Sequence, residues 1–169
     1  EGVATGISLS QTISMFNPTW EEESNFDTAF DQAVEFAHTL LIRFVASARG
    51  GLNAKKIVAQ AIKQADDPRL IVLERYTPWK KTVHSLSEEA LFVVYPSHSG
   101  KWIVQTVPAE LGSFEDRKSL PAPWAGLSDD EFQAVTGIDD AMFCHNGLFI
   151  AGAESFESVM SLAAMALEY

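Results

Sequence analysis

The sequence predicts an α+β fold, in which N-terminal helices, one of them long, pack on a five-stranded, mainly antiparallel sheet built from two hairpins, with a C-terminal helix. Two observations lead to this prediction. Apolar residues recur every three or four positions from Phe26 to Ala65, which is the period of a helix. After Pro68 the apolar stretches become short, rich in β-branched and aromatic residues, and bounded by turn residues. With 169 residues, 47% of them apolar, the chain can bury the core of one ordinary domain.

The N-terminal helices have recognisable ends. A short helix over 9–16 ends at Asn17-Pro18, because the residue before proline is pushed out of helical geometry. The long amphipathic helix begins at Phe26, and Gly50-Gly51 is a candidate break or kink within it. The helical period then continues to Asp66, where Asp-Asp-Pro stops it.

Three later helices are predicted from their first residues. Thr77-Pro78 resembles an N-cap followed by proline at the first helical position. Ser128 with Glu131 forms a capping box at the start of a short helix. The last helix spans about 156–167, with apolar residues on one side.

Five strands are predicted, at 70–73, 91–95, 102–107, 141–145 and 148–151. The segment 97–100 joins the second and third strands as a hairpin. Asn146-Gly147 has the composition of a two-residue type I′ turn, which would set His145 opposite Leu148, Cys144 opposite Phe149 and Phe143 opposite Ile150.

Several strands are apolar on both sides, whereas antiparallel sheets usually keep one wet face. We therefore expect each face to be covered. The long helices can cover one face, and the N-terminal helix, the irregular segment 108–127 or another chain covers the other. That segment contains prolines, glycines and Trp124, and it is either a functional or interfacial loop or a lid that seals the sheet edge.

The net charge of −11 argues against broad, unassisted wrapping of nucleic acid, but the charge is unevenly distributed. Most of the 12 basic residues lie between 43 and 81, so a local anion site is possible. The single cysteine excludes an internal disulfide and favours a reducing compartment, and we expect a cytoplasmic protein. No apolar run approaches the roughly 20 residues of a membrane span. The chain begins at Glu1, which suggests a fragment of something longer.

The adjacent pair Cys144 and His145 raises the possibility of a nucleophile and its base. Neighbours on a strand point to opposite faces, so the histidine cannot deprotonate the thiol beside it. A buried structural cysteine is the favoured interpretation over a reactive one. His145 is interpreted either as a hydrogen-bonded residue at the end of a strand or as a ligand contact.

Two other candidate sites carry weaker signals. Ala151-Gly152-Ala153 leads into the last helix, and free backbone N–H groups at such a strand-turn-helix junction can receive an anion. Glu154 and Glu157 would repel a phosphate there, so a helix start without a ligand is the alternative. The four histidines are scattered and no metal-ligand spacing occurs, so we expect no metal in this chain; Glu21 to Glu23 favour the helix dipole instead.

The segment from Arg75 to Ser85 is the most suggestive of ligand contact. It combines Trp79, Lys80, Lys81 and His84 with the arginine, a set that can stack an aromatic ring and pair with phosphate. The alternative is that Trp79 anchors the core and the lysines only flank it.

Five stretches resemble the C-terminal half of the melanocyte-proliferating-gene (Myg) family, in the same order and spacing and over nearly the whole chain. They are Asn17 to Trp20, Pro78 to Lys80, Trp102 to Pro108, Phe114 with Arg117 followed by Leu120 to Leu127, and Phe143 to His145 through Ile150. The family resembles a branch of the DHH phosphoesterase superfamily. The resemblance therefore implies a metal-dependent phosphodiester hydrolase, described as an RNA exonuclease in eukaryotes and often labelled a metal-dependent protein hydrolase in bacteria.

The family's metal ligands, for Mn or Mg, belong to an N-terminal half with His-Asp-Gly-Thr-Phe-His and Asp-His-His motifs, and neither motif occurs in this chain. The resemblance implies that residues 1–24 are the tail of that catalytic half with a linker, and that 25–169 are an accessory or substrate-binding domain that is inactive alone. The implied partners are the N-terminal half and RNA or another phosphodiester. A eukaryotic source would allow a mitochondrial or nuclear location.

The expected substrate contacts are Arg75, Lys80, Lys81 and Arg117 as anion contacts, Trp79 as a stacking platform, His145 as a hydrogen-bonder in a cleft, and the turn at Gly152. Some relatives have Gly-Gly-His where this chain has Ala151-Gly152-Ala153. The missing histidine weakens the expectation that the turn at Gly152 binds phosphate. The competing hypothesis is a non-enzymatic interaction module that forms a homodimer through the doubly apolar sheet. An independent hydrolase using Cys144 and His145 is the third.

Overall fold

The computed structural model describes residues 6–169, so the first five residues of the predicted 1–24 tail lie outside the described residues. The chain forms two compact units, one ending at Gly51 and the other spanning Leu52–Tyr169. The predicted division into 1–24 and 25–169 follows the resemblance and stays a prediction.

The first unit is helical. Helix α1 (Leu9–Ser14) begins with the capping box of Ser8 and Gln11. Helix α2 (Phe26–Gln64) begins in this unit and continues unbroken through Gly50-Gly51. The candidate break is absent because glycine weakens a helix only by about 1 kcal/mol relative to alanine, which a helix of this length tolerates.

The second unit contains a five-stranded mixed sheet and confirms the predicted α+β class. Its elements are β1 (Leu70–Val72), α3 (Lys80–Leu86), β2 (Phe92–Pro96), β3 (Trp102–Thr106), a 3-10 turn (Ala122–Trp124), α4 (Asp129–Thr136), β4 (Ala141–Cys144), β5 (Ile150–Ala153) and α5 (Phe156–Glu168). The strand order is β1-β2-β3-β5-β4. Only β1 and β2 pair in parallel, because α3 provides the crossover between them.

Both faces of the sheet are covered by helices of this unit. Phe92 and Val94 point to one face, where they join Leu162 of α5 in a buried cluster. Val93, between them, points to the other face and packs with Val58 of α2. The interaction-module hypothesis required an open apolar sheet face, and that requirement is wrong for this sheet.

The long irregular segment 108–127 contributes to the first of these clusters. Leu120 and Trp124 are buried in it, and the ring of Trp124 meets Phe132 of α4 with 5.6 Å between ring centroids. The segment therefore covers part of the sheet, as the lid interpretation expected.

The starts of two helices differ from the predicted caps. Helix α3 begins at Lys80 with Trp79 as N-cap, two residues later than predicted, and Thr77 Oγ1 donates to the carbonyl of Arg75. Ser128 is the N-cap of α4, as predicted, but its side chain makes no cap hydrogen bond, so the capping box is not formed.

The final hairpin has a longer loop than the predicted two-residue turn. Cys144 pairs with Ala151, not with Phe149. The His145 N–H donates to the carbonyl of Ile150 at 2.9 Å, and the Leu148 N–H donates back to the carbonyl of His145 at 2.8 Å. The predicted register is therefore wrong by two residues, a shift that keeps Cys144 and Phe143 on their predicted, opposite faces. A bulge between Ala141 and Phe143 places Ala141 on the face of Cys144.

Candidate functional site

Polar side chains meet at the end of β3, between the segment that follows this strand and the final hairpin. Thr106 is the last residue of β3, and its Oγ1 lies 2.6 Å from Asp116 Oδ1 and 3.2 Å from the carbonyl oxygen of Phe149. The Thr106 N–H also donates to that carbonyl, at 3.0 Å. This threonine thus ties two separate loops together at one end of the sheet.

Asp116 is half-buried, and the positive charge of Lys80 acts on its carboxyl group. Burial raises the pKa of the Asp116 carboxyl, while the hydrogen bond from Thr106 and the charge of Lys80 act in the opposite direction. Lys80 and Asp116 therefore interact through their charges at this end of the sheet. Sequence reasoning missed Asp116, because no spacing in the sequence signals that a loop residue returns to a threonine ten positions earlier.

His145 lies at the same end of the sheet, in the loop after β4. Its side chain is exposed, Nδ1 accepts a hydrogen bond from the Gly147 N–H at 2.9 Å, and the ring centroid is 4.5 Å from that of Phe149. Because Nδ1 is an acceptor, the neutral ring carries its proton on Nε2, which is available to donate outward. We call the group Lys80, Thr106, Asp116 and His145 the polar end.

Lys80 and Lys81 are both exposed in the first turn of α3. Trp79 is only 3% exposed and belongs to the buried cluster around Val93. The Lys80 Nζ lies 5.8 Å from the centroid of that indole ring, within cation–π range. In this conformation Trp79 is a packing anchor below the lysines, which is the alternative that the sequence left open.

Arg117 is occupied by structural hydrogen bonds. Its Nη1 donates to three carbonyl oxygens, those of Ser87 at 2.7 Å, Glu88 at 3.1 Å and Ala90 at 3.0 Å. The guanidinium therefore holds the connection between α3 and β2. An anion would have to compete with three backbone acceptors for this nitrogen.

Gly152 lies inside β5 and not at a turn, so the predicted strand-turn-helix junction at this glycine is wrong. It pairs with Ile103 of β3 on one side and Phe143 of β4 on the other. A Cβ at this position would lie 2.8 Å from Phe143 Cε1. Close packing between strands, and not an anion, explains the glycine.

Arg75 does not belong to the polar end. It borders an open groove together with Asp66, Asp67 and Glu74, between the last turns of α2 and the start of α5. Three carboxylates nearby make this groove a poor match for an anionic ligand.

Cys144 is 2% exposed, and burial raises the pKa of its thiol to about 11. A thiol with such a pKa is almost entirely protonated at neutral pH, so it is a poor nucleophile. The structure favours the buried structural cysteine over the independent hydrolase.

Among residues 6–169, no group of three or more His, Cys, Asp or Glu side chains is arranged to hold a metal ion. The side chains of the polar end therefore do not fit a catalytic metal of their own. Within the same residues, no helix combines the length and the apolar character needed to cross a bilayer.

The fold and the polar end define a small α+β domain that carries lysine, carboxylate and imidazole groups at one end of its sheet. The MYG1_exonuc family model, described as "Uncharacterised protein family (UPF0160)", matches residues 2–167. The chain belongs to this family. No solved structure matches it.

The relatives are longer than this chain. The MYG1 protein YER156C of Saccharomyces cerevisiae is 37% identical over 95% of the chain and 52% of its own length. The MYG1 exonuclease of Homo sapiens is 31% identical over 95% of the chain and 46% of its own length, and the MYG1 protein of Chlamydia muridarum is 36% identical over 89% and 52%. The chain thus spans about half the length of the curated relatives that it matches.

Proposed function

We propose that this chain is the substrate-binding, accessory part of a two-domain, metal-dependent phosphoesterase of the exonuclease type, in the DHH superfamily. The observation that carries the proposal is that relatives named MYG1 exonuclease match 95% of this chain with only 45–46% of their own length. Half of such a protein lies outside this sequence. The Mn or Mg ions and the catalytic groups belong to that other half.

The polar end supports a role in holding an anionic substrate. Lys80 and Lys81 place two positive charges side by side, and His145 adds a hydrogen-bond donor. Lys80 is close enough to Asp116 for its charge to lower the pKa of that carboxyl, which puts the lysine at this end of the sheet. The overall charge of −11 keeps the attraction local, which suits a short segment of a phosphodiester chain better than a long duplex.

The proposed partners follow from this division of labour. The catalytic half is the first, and RNA or another phosphodiester is the substrate. The proposed location is the cytoplasm, or the mitochondrion or nucleus for a eukaryotic protein.

Binding of a short single-stranded RNA, followed by fluorescence anisotropy at several salt concentrations, tests the anion contacts. The double variant Lys80→Ala, Lys81→Ala should bind several-fold more weakly and lower the salt slope by about 1.4, since each lost phosphate contact on a single strand accounts for about 0.7. Lys63→Ala is the matched control, an exposed lysine near the end of α2. Equal losses in both proteins would mean that the polar end is not the binding site.

An activity measurement tests the division of labour itself. The purified chain, supplied with Mn²⁺ or Mg²⁺ and labelled RNA, should release no product. Cleavage in proportion to chain concentration would contradict the proposal, because it would require a catalytic centre within these residues.

A further inference from the structure

The first two thirds of α2 carry a stripe of apolar side chains that the chain itself leaves exposed. Phe30, Leu41 and Phe44 are 67%, 60% and 61% exposed. The adjoining side of the helix is different, because Phe36 packs against Phe16 after α1, with 5.3 Å between ring centroids. We call this set the apolar stripe; Ala37 in it is half-buried and the others are exposed, and it comprises Phe26, Phe30, Val34, Ala37, Leu41, Phe44 and Ala48.

The positions of the apolar stripe are nearly symmetric about residue 39. Residues 30 and 48, 34 and 44, and 37 and 41 are equally distant from position 39. When two such helices lie antiparallel and cross near this position, Phe30 of one faces Ala48 of the other, and Leu41 faces Ala37. Phe44 faces Val34, so each of the three pairs combines a larger side chain with a smaller one, which favours close helix packing.

Charges beside the apolar stripe select the same orientation. Asp31 and Arg49 are 18 residues apart, which is about five turns at about 3.6 residues per turn, so they flank the stripe on the same side. In an antiparallel pair, Asp31 of each helix lies near Arg49 of the other. In a parallel pair the two Asp31 side chains, and likewise the two Arg49 side chains, lie on opposite sides of the seam, so neither Asp31 reaches an Arg49 of the partner.

A shallow groove on the same helix surface adds a third observation. It is lined by His38, Leu41, Ile42, Val45, Ala46 and Arg49. The antiparallel arrangement brings Val34 of the second helix to this groove, where its side chain can enter as a ridge between Leu41 and Val45.

We propose that α2 pairs with α2 of a second copy of this chain, antiparallel and related by a two-fold axis near residue 39. Such an interface uses the same patch on both copies and closes on itself, so it yields a dimer and not a filament. The inference is independent of the proposed substrate role, since it concerns a different part of the chain.

The mass of the purified chain in solution, from light scattering or sedimentation, tests the dimer. We expect twice the mass of one chain at micromolar concentration, and the mass of a single chain for Phe44→Asp. Leu111→Asp, which changes an exposed leucine outside α2, is the control and should remain dimeric. Far-ultraviolet circular dichroism should show that all three proteins are folded.

Charge reversal tests the orientation. Asp31→Arg and Arg49→Asp should each weaken dimerisation about tenfold, because exposed pairs are replaced by like charges at two symmetric places. The combined variant Asp31→Arg, Arg49→Asp should restore it. Two results would overturn the proposal. One is a chain that stays monomeric up to hundreds of micromolar. The other is an association whose strength neither charge reversal changes, which would indicate non-specific apolar contact through a surface that another part of a longer protein covers.

Discussion

Gly152 shows how a single residue can be required by packing. The strand that contains it is flanked by β3 and β4, and the backbone carbonyl of Trp102 lies 3.3 Å from the place where a Cβ would stand. Ile103 Cδ1 is 3.1 Å from the same point. Any larger residue must displace both neighbouring side chains in a closely packed part of the sheet.

Gly152→Ala should therefore lower the free energy of unfolding by about 1–3 kcal/mol, the usual cost of overpacking. Urea denaturation measures it. Phe143→Leu on the Gly152→Ala background should recover part of the loss, because the clash at 2.8 Å is with the Phe143 ring. If the two changes are simply additive, the clash is not what makes this position a glycine.

Arg117 and Trp79 illustrate a second lesson at the residue scale. Both are residue types that commonly contact nucleic acid, and both are used here for structure. Arg117 donates to three carbonyls in the connection between α3 and β2, and Trp79 is buried in the core next to Lys80. Residue type alone therefore overestimates the binding surface, and burial decides between the two uses.

Cys144 predicts a pH dependence of stability. Its thiol has a pKa of about 11 in the folded chain, above the ordinary value of 9.0 that it regains on unfolding. Between these values the unfolded chain loses the proton while the folded chain keeps it, so the free energy of unfolding falls as pH rises from about 9 to about 11.

Urea denaturation from pH 8 to 11 checks this, with Cys144→Ala as the comparison. The variant should lose less stability over that range than the parent chain. Burial also raises the pKa of Tyr95, to about 12, but this group is present in both proteins and cancels in the difference. Parallel pH profiles would contradict the expectation.

Among the helices and strands, α2 is the longest element. It spans 39 residues and passes through two adjacent glycines without a break. A Cβ at Gly50 or Gly51 would have no neighbouring atom within 4 Å, so packing does not require glycine at either position. They weaken the helix at the boundary between the two compact units.

Gly50→Ala should raise the free energy of local opening around residue 50 by about 0.5–1 kcal/mol, because alanine loses less entropy in a helix. Native-state hydrogen exchange of the neighbouring amides measures it. Gly112→Ala is the matched contrast, since its Cβ would also be unobstructed but its φ of +88° is unfavourable for alanine. That variant should be destabilised, and equal signs for the two would refute the argument from backbone conformation.

For the molecule as a whole, the two buried clusters show that the second unit holds most of the stabilising apolar contacts. Every buried member of both clusters lies between Val58 and Ala166. Residues 6–51, the described part of the first unit, supply no residue to either cluster, and the helices there expose much of their apolar surface. The hydrophobic contribution to folding is therefore concentrated after residue 51.

A fragment of residues 52–169 should accordingly fold on its own and unfold cooperatively in urea, with dispersed amide resonances by NMR. It should also be monomeric, because it lacks the apolar stripe. A fragment that is unfolded would show that the first unit is needed for the sheet, and a dimeric one would place self-association elsewhere.

The sequence by itself determined the α+β class, the long helix, the five strands and the burial of Cys144, because these follow from hydrophobic periodicity and from turn residues that are local in the chain. It also located Lys80 and His145 as candidates through the resemblance to the Myg family. Local patterns carry this much because each element must bury its own apolar face.

Only the tertiary structure decided which polar residues meet. Asp116 contacts Thr106 through loop closure, Arg117 turns inward to backbone carbonyls, and Gly152 falls within a strand because the last hairpin has a five-residue loop. These outcomes depend on contacts between residues far apart in the chain, whose energies no local pattern records. The sequence did predict that both faces of the sheet are covered, but only the structure decided that α5 covers one face and the end of α2 the other.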